Sequence, residues 1–164
     1  PLQMAMAVAT LSMDGKRMQP HLLKKIVSPD GTTVVTRPIM ADEIKLPKKD
    51  WDEVQKGMID VIKAPYGTGF RFGRKTPYSV AAKTGTAQVF HSNVRYHETD
   101  LPEYLRDNST FIAYAPVENP QIAIAVVVEH SELAASIARK LLDQYLIIEK
   151  HLPKSSSSPA NPPS

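Results

Sequence analysis

The chain of 164 residues contains no cysteine, so disulfides, thiolate metal sites and a cysteine nucleophile are excluded. It also lacks any run of about 18 apolar residues, the length that a membrane-spanning helix needs. The charge is nearly balanced, with 20 Lys and Arg against 17 Asp and Glu. Because no block of basic residues stands out, the sequence does not indicate nucleic-acid binding.

The sequence begins at Pro1 without an initiator Met or a signal peptide, and residues 2–13 already have the pattern of a helix interior. We therefore expect this chain to be the C-terminal part of a longer protein. Any targeting or membrane segment would then lie upstream of Pro1.

The first half of the chain predicts two helices separated by a hairpin. Residues 2–13 have helical spacing and are followed by Gly15, and two β-prone runs flank the turn at 29–31. The charged stretch 41–49 is typical of a surface connection. A second amphipathic helix is predicted from Asp50, a plausible N-cap, to about Lys63.

The second half predicts three antiparallel strands and a closing helix, which makes the fold class α+β. The strands are 78–90, 109–115 and 121–129, and the last is apolar enough to be a central strand buried on both faces. A polar excursion, 91–108, separates the first two strands. The closing helix, 132–150, is predicted to begin at a Ser131 cap and to pack through a stripe formed by Leu133, Ile137, Leu141, Tyr145 and Ile148. Residues 153–164 are Ser- and Pro-rich and are predicted to be a disordered tail.

The stretch "VAAKTGTAQVF" breaks a strand pattern with a cation, a hydroxyl and a glycine at Lys83, Thr84 and Gly85. A lysine among small apolar residues is costly unless it meets an anion, and Thr84 offers a second donor to the same anion. Glycine in a strand often marks the close approach of a ligand or another backbone. We therefore predict an edge strand that binds an extended, carboxylate-bearing ligand. The alternative, an exposed edge lysine followed by a bulge glycine, is favoured if these three residues are taken alone.

The order of motifs resembles the end of the penicillin-binding transpeptidases. The segments that carry the resemblance are "PLQMAMAVATL", "AAKTGTAQVF", "LRDNSTFIAYAP" and "NPQIAIAVVVEH", and it extends from Pro1 to about Lys150. These segments are most similar to those of the class B, elongation-type group called penicillin-binding protein 2. The resemblance implies the serine transpeptidase and β-lactamase-like fold, an antiparallel sheet between helices. Residues 1–152 would then be the C-terminal part of the transpeptidase domain.

The resemblance also implies an activity, in which a serine attacks a D-Ala-D-Ala stem peptide and an amine of a second peptide resolves the acyl-enzyme. By motif position, Lys83 supplies positive charge, Thr84 binds the substrate or penicillin carboxylate, and Gly85 keeps the groove open. The Thr86 N–H would be an oxyanion-hole donor. No cofactor is implied. The implied partners are stem peptides, β-lactams and a membrane glycosyltransferase, and the implied location is the bacterial inner membrane with the catalytic domain in the periplasm.

Two motifs of that family are absent. No Lys of the chain has Ser three residues before it, and no Asn has Ser two residues before it. The nucleophile motif Ser-x-x-Lys and the Ser-x-Asn motif, which accompany Lys-Thr-Gly in such enzymes, are expected upstream, so the isolated chain should be inactive. A β-lactamase or D,D-carboxypeptidase of the same fold, and a non-catalytic interaction module, remain open alternatives.

Two further stretches suggest sites that closer reading disfavours. Residues 67–76, "GTGFRFGRKT", resemble a phosphate loop, but Arg74 separates Gly73 from Lys75 and no strand precedes them. This loop could instead line the substrate groove. The excursion contains His91, His97, Glu98 and Asp100 without a zinc-ligand spacing, so no metal site is predicted.

Overall fold

A computed structural model describes residues 1–73, 75–89 and 101–149. Helix α1 (Leu2–Ser12) is followed by the short strands β1 (Lys16–Met18), β2 (Lys25–Val27), β3 (Thr33–Val35) and β4 (Met40–Glu43) and by helix α2 (Lys48–Lys63). The second half contains α3 (Phe70–Gly73), β5 (Ala81–Ala87), a 3-10 turn (Glu103–Leu105), β6 (Asn108–Ala115), β7 (Ile122–Val128), α4 (Ala134–Asp143) and a π-helical segment (Gln144–Glu149). The predicted tail, and the predicted excursion up to residue 100, lie outside the described residues.

The three strands predicted in the second half form one antiparallel sheet in the order β5-β6-β7, which confirms the predicted pairing. Within the described sheet, the strand at 121–129 lies at an edge and not in the predicted central position. The central strand is β6, in which Phe111, Ala113 and Tyr114 are completely buried, whereas β7 is only half-buried at an edge of the described sheet. A continuous apolar run is typical of strands that are buried on both faces. Strand β7 has such a run, although the described residues bury it only in part.

Helices cover both faces of this sheet. On one face, Phe111 and Ala113 of β6 belong to a buried cluster with residues of α4 and with Phe72. On the other face, Tyr114 of β6 and Ala81 of β5 belong to a second cluster with residues of α1 and α2. Because side chains alternate along a strand, one central strand contributes to both cores. The predicted α+β architecture, an antiparallel sheet between helices, is therefore confirmed.

The closing helix packs through a different face from the one predicted. The buried side chains are Ala134, Ala138, Leu142 and Leu146. The predicted stripe lies one position away on the helix surface, and its residues Leu133 and Leu141 are 56% and 49% exposed. Two alanines at the contact allow the helix to lie close to β6 and β7, because a small side chain shortens the distance between packed elements.

The start of the closing helix also differs from the prediction. The Ser131 hydroxyl accepts a hydrogen bond from the N–H of Leu133, the residue before the helix, at 3.3 Å. The first helical residue, Ala134, instead donates its N–H to the Ser109 hydroxyl of β6 at 3.2 Å. A side chain of the sheet therefore satisfies one of the unpaired N–H groups of the first turn.

The first half contains the predicted hairpin and two strands, β1 and β4, that the sequence did not indicate. The hairpin is formed by β2 and β3, with Gly31 at φ +84 and the Thr32 N–H donating to the Asp30 carboxylate at 2.9 Å. The stretch 41–49, predicted as a surface connection, is exposed, but it is partly regular because β4 pairs with β1 and α2 begins at Lys48. Pro47 is the N-cap of α2, so Asp50 lies in the first turn rather than at the cap.

Within the described part of the chain, no helix combines the length and the hydropathy that crossing a bilayer requires.

Candidate active site

Strand β5 places the predicted site residues in order along one edge of the sheet. It pairs with β6 in register from Ala81 opposite Tyr114 to Ala87 opposite Asn108, and no strand of the described ranges pairs with its other side. Burial changes abruptly along it. Ala81 and Ala82 are 0% exposed, whereas the following residues, from Lys83 to Ala87, are half-buried or exposed. The four residues of the motif therefore lie together on the accessible half of the strand.

Lys83 is an exposed cation that follows the two buried alanines in the strand. Its Nζ donates a hydrogen bond to the carbonyl oxygen of Thr84 at 2.6 Å. Among the residues that the structure describes, no carboxylate forms an ion pair with it. A charge held against its own strand without a counter-ion is available to an incoming anion.

The Thr84 hydroxyl lies 2.7 Å from the hydroxyl of Thr68, in the loop after α2. The sequence predicts a loop at 67–76 that could line the groove, without indicating Thr68 in particular. The available signal was its position between Gly67 and Gly69, since paired glycines often mark a backbone held close to another element. Thr68 is thus a site residue that the structure adds to the predicted set.

Gly85 has a packing reason as well as a predicted functional one. A Cβ at this position would lie 2.3 Å from the hydroxyl oxygen of Thr110, which is directly opposite on β6. The absence of a side chain therefore accommodates a cross-strand neighbour. Its role in keeping a substrate groove open stays a prediction.

Thr86 is exposed and lies opposite Ser109. Its predicted use as an oxyanion-hole donor depends on the backbone N–H and not on the side chain. That role also stays a prediction.

Neither of the two serines beside these strands has the surroundings of a nucleophile. The Ser79 hydroxyl donates to the Glu118 carboxylate and accepts the N–H of Val117 at 2.8 Å. The hydrogen bond from Ser79 lowers the pKa of Glu118, so this carboxylate is ionised and is a weak base at neutral pH. The Ser109 hydroxyl accepts a hydrogen bond from the start of α4. Both hydroxyls have a structural use, and neither contacts a lysine in the described residues.

A partly buried polar network holds the segment that leads into β5. The Tyr78 hydroxyl donates to Asp143 of α4 at 2.5 Å, and Arg139 binds the same carboxylate at 2.8 Å. Arg139 also donates to the carbonyl oxygen of Phe72 at 2.9 Å. Burial, and then the hydrogen bond to Asp143, raise the pKa of Tyr78 well above its usual range, so the phenol stays protonated. The network connects Tyr78, which precedes β5, to Arg139 and Asp143 of α4, and so holds the start of β5 against that helix.

A cavity of about 660 Å³ lies beside the segment that precedes β5. Its lining includes Ile62, Lys63, Tyr78, Ser79, Pro116 and Glu118. Lys83 and Thr84 do not line it. This cavity is therefore separate from the Lys-Thr-Gly motif.

No metal centre emerges from residues 1–73, 75–89 and 101–149, where no three His, Asp or Glu side chains are grouped to hold an ion. The histidines and carboxylates considered at 91–100 lie outside those ranges.

Three comparisons relate this chain to known proteins. The family model for the penicillin binding protein transpeptidase domain matches residues 1–144. The peptidoglycan D,D-transpeptidase MrdA of Haemophilus influenzae is 38% identical over 155 residues, which cover 89% of this chain and 23% of that protein. The chain thus spans about a quarter of the length of such curated relatives.

Solved structures agree with the family match. Pseudomonas aeruginosa PBP2, in complex with WCK 5153, aligns with a TM-score of 0.70 and 32% identity over 98% of this chain and 32% of that one. The imipenem acyl-enzyme complex of penicillin-binding protein A from M. tuberculosis aligns with a TM-score of 0.68 and 25% identity over 89% of this chain and 30% of that one.

Proposed function

Because the chain belongs to the penicillin-binding protein transpeptidase family, we propose that it forms one wall of the active site of a PBP2-type peptidoglycan D,D-transpeptidase. The enzyme would cross-link stem peptides through a serine acyl-enzyme. The observation that carries this proposal is the arrangement of β5. A cation, a hydroxyl and a glycine follow one another on the accessible half of a strand. Among the described residues, that cation forms no ion pair and the strand has a neighbour on one side only.

The geometry suits recognition of a peptide that ends in a carboxylate. A stem peptide laid along the open edge of β5 would present its terminal carboxylate to the Lys83 ammonium and the Thr84 hydroxyl. Its scissile carbonyl would lie further along the strand, within reach of the Thr86 N–H. That N–H would stabilise the oxyanion of the tetrahedral intermediate, and Gly85 would leave room for the substrate backbone. A β-lactam would occupy the same groove as a mimic of the peptide.

The nucleophile is proposed to come from residues outside this sequence. A serine needs an adjacent base to attack at neutral pH, and the sequence contains no Ser-x-x-Lys. The Lys83 ammonium would face that serine and the Ser-x-Asn serine across the groove. The 164-residue chain by itself is then expected to bind β-lactams poorly and to form no covalent adduct.

Partners and location follow from the same proposal. The substrates would be peptidoglycan stem peptides, the inhibitors β-lactams, and the membrane partner a glycosyltransferase of the elongation machinery. The enzyme would be anchored in the bacterial inner membrane with this domain in the periplasm. The imipenem acyl-enzyme of the M. tuberculosis relative supports the β-lactam part of the proposal.

The test supplies the intact gene product with a donor stem peptide and an acceptor amine and follows the peptides by mass spectrometry. The proposal predicts a cross-linked product and a long-lived stoichiometric adduct with penicillin. Sustained hydrolysis of penicillin would instead show a β-lactamase, and release of free D-Ala without cross-linking a carboxypeptidase. Absence of any acylation would favour a non-catalytic module.

A further inference from the structure

The loop between α2 and α3 holds Thr68 in a fixed position. The Gly67 N–H donates to the Ala64 carbonyl oxygen at 2.8 Å, and the Gly69 N–H donates to the Val61 carbonyl oxygen at 2.9 Å. A Cβ on Gly67 would lie 2.3 Å from the carbonyl oxygen of Val61. A Cβ on Gly69 would lie 2.7 Å from the Ile62 side chain. The two glycines therefore allow the loop to press against the last turn of α2, with Thr68 between them.

The fixed loop brings two hydroxyl groups together at the motif. The Thr68 and Thr84 oxygens are 2.7 Å apart, a normal distance for one hydroxyl donating to another. A pair of hydroxyls has two protons and uses only one between its members. If Thr68 is the donor, the Thr84 oxygen accepts, and the Thr84 proton is free to be donated outward. A donated hydrogen bond also strengthens the next bond in the chain.

The contact contributes little to stability. It is exposed, and a solvent-accessible hydrogen bond between neutral groups exchanges almost evenly with water. The backbone of the loop is already held by its own N–H donors and by the two glycines. The placement of a hydroxyl against Thr84 therefore needs a reason other than folding.

We propose that Thr68 is a positioning residue for carboxylate recognition. It donates to Thr84 and turns the Thr84 proton toward the terminal carboxylate of the substrate, next to the Lys83 ammonium. This inference rests on the proposed function, in which Thr84 binds that carboxylate. It adds a residue from outside the Lys-Thr-Gly strand. The role assigned to that residue is to increase the enzyme's preference for a substrate with a free carboxylate, which can be measured.

The experiment uses the intact gene product and two stem-peptide thioesters, one with a free terminal carboxylate and one with that carboxylate methylated. The readout is the ratio of kcat/KM for the acid to kcat/KM for the ester. Thr68→Val keeps the shape and removes the hydroxyl, Thr68→Ser keeps the hydroxyl, and Thr76→Val is the matched control. Thr76 lies in the same segment, and its hydroxyl donates to the Gly73 carbonyl oxygen at 3.0 Å, away from Thr84.

We expect Thr68→Val to lower the acid-to-ester ratio by roughly 3- to 10-fold, the effect of one hydrogen bond, with an unchanged melting temperature. Thr68→Ser and Thr76→Val should keep the ratio of the wild type. An unchanged ratio in Thr68→Val, or an equal loss on both substrates, would overturn the inference. If the wild type processes neither thioester, the proposed function itself fails, and this result is distinct from either of those.

Discussion

Strands β5 and β6 pair along the whole length of β5, yet they differ in what covers them. Thr84 and Phe111 are directly opposite each other in this ladder. Phe111 is completely buried and stacks on Phe72 with ring centroids 4.9 Å apart, whereas Thr84 is half-buried and its hydroxyl is accessible. The central strand is enclosed by two neighbours and two helix layers, while the edge strand emerges from them after Ala82. Directly opposed positions in one sheet thus differ: one is enclosed in the core, and the other is accessible for the proposed binding of substrate.

The largest effect is expected on the β6 side of the comparison. Phe111→Ala removes a buried ring, and we expect it to lower the free energy of unfolding by ~3–5 kcal/mol because it leaves a cavity and removes the stacking on Phe72. Urea unfolding of the intact protein measures this, with Thr84→Ala as the control from the opposite strand. A loss below about 1 kcal/mol would show that β6 is less essential to the core than its burial indicates.

Lys83→Ala is the matching test on the β5 side. We expect acylation by penicillin to slow by ~10²–10³-fold, the scale of removing one electrostatic donor from an acyl-transfer site. The melting temperature should not change, because the side chain is exposed and forms no ion pair with the described residues. Stopped-flow acylation measures the rate, and Lys25→Ala, an exposed lysine on β2, is the control. Unchanged kinetics would remove Lys83 from the mechanism.

Ser109 tests whether β6 also anchors the closing helix. Its hydroxyl accepts the N–H of the first residue of α4, so Ser109→Ala should lower the free energy of unfolding by ~0.5–2 kcal/mol. Acylation should be unaffected once the variant is folded. Ser136→Ala is the control, because that hydroxyl is exposed and donates locally, to the carbonyl oxygen of Leu133 just before α4, and not to the sheet. Equal stability of the two variants would contradict the capping role.

Gly85→Ala is expected to have the smallest effect on stability, about 1 kcal/mol or less, because the Thr110 side chain that it meets is able to rotate. The double variant with Thr110→Ala removes that clash and should regain the lost stability. If Gly85 also keeps the substrate groove open, the double variant should still acylate slowly. Recovery of both properties would assign Gly85 to cross-strand packing alone.

Local sequence patterns were enough to predict these strands and the hairpin of the first half. The alternation and turn residues around β5, β6 and β7 predicted three antiparallel strands, and the Lys-Thr-Gly motif marked the exposed half of β5. The hairpin at β2 and β3 was predicted from its Pro-Asp-Gly turn. Each of these signals lies within a few residues of the structure that it predicts.

The errors concern contacts between distant segments. The helix face with Leu133 and Leu141 has larger apolar side chains than the face with Ala134 and Ala138. The face with the smaller side chains is nevertheless the one that packs against the sheet. The pairing of β4 with β1 and the contact of Thr68 with Thr84 depend on how elements approach in space. The exposure of Lys83, which follows two buried alanines, likewise depends on which part of β5 the other elements cover.

The central claim is that residues 83–86 act on a substrate attacked by a serine outside this sequence. It is tested most directly by labelling the intact gene product with penicillin, digesting it and mapping the acylated serine by mass spectrometry. The account predicts one labelled serine, outside residues 1–164 and three residues before a lysine, with labelling strongly reduced by Lys83→Ala. An adduct on Ser79, Ser109 or any other serine of this chain would contradict it.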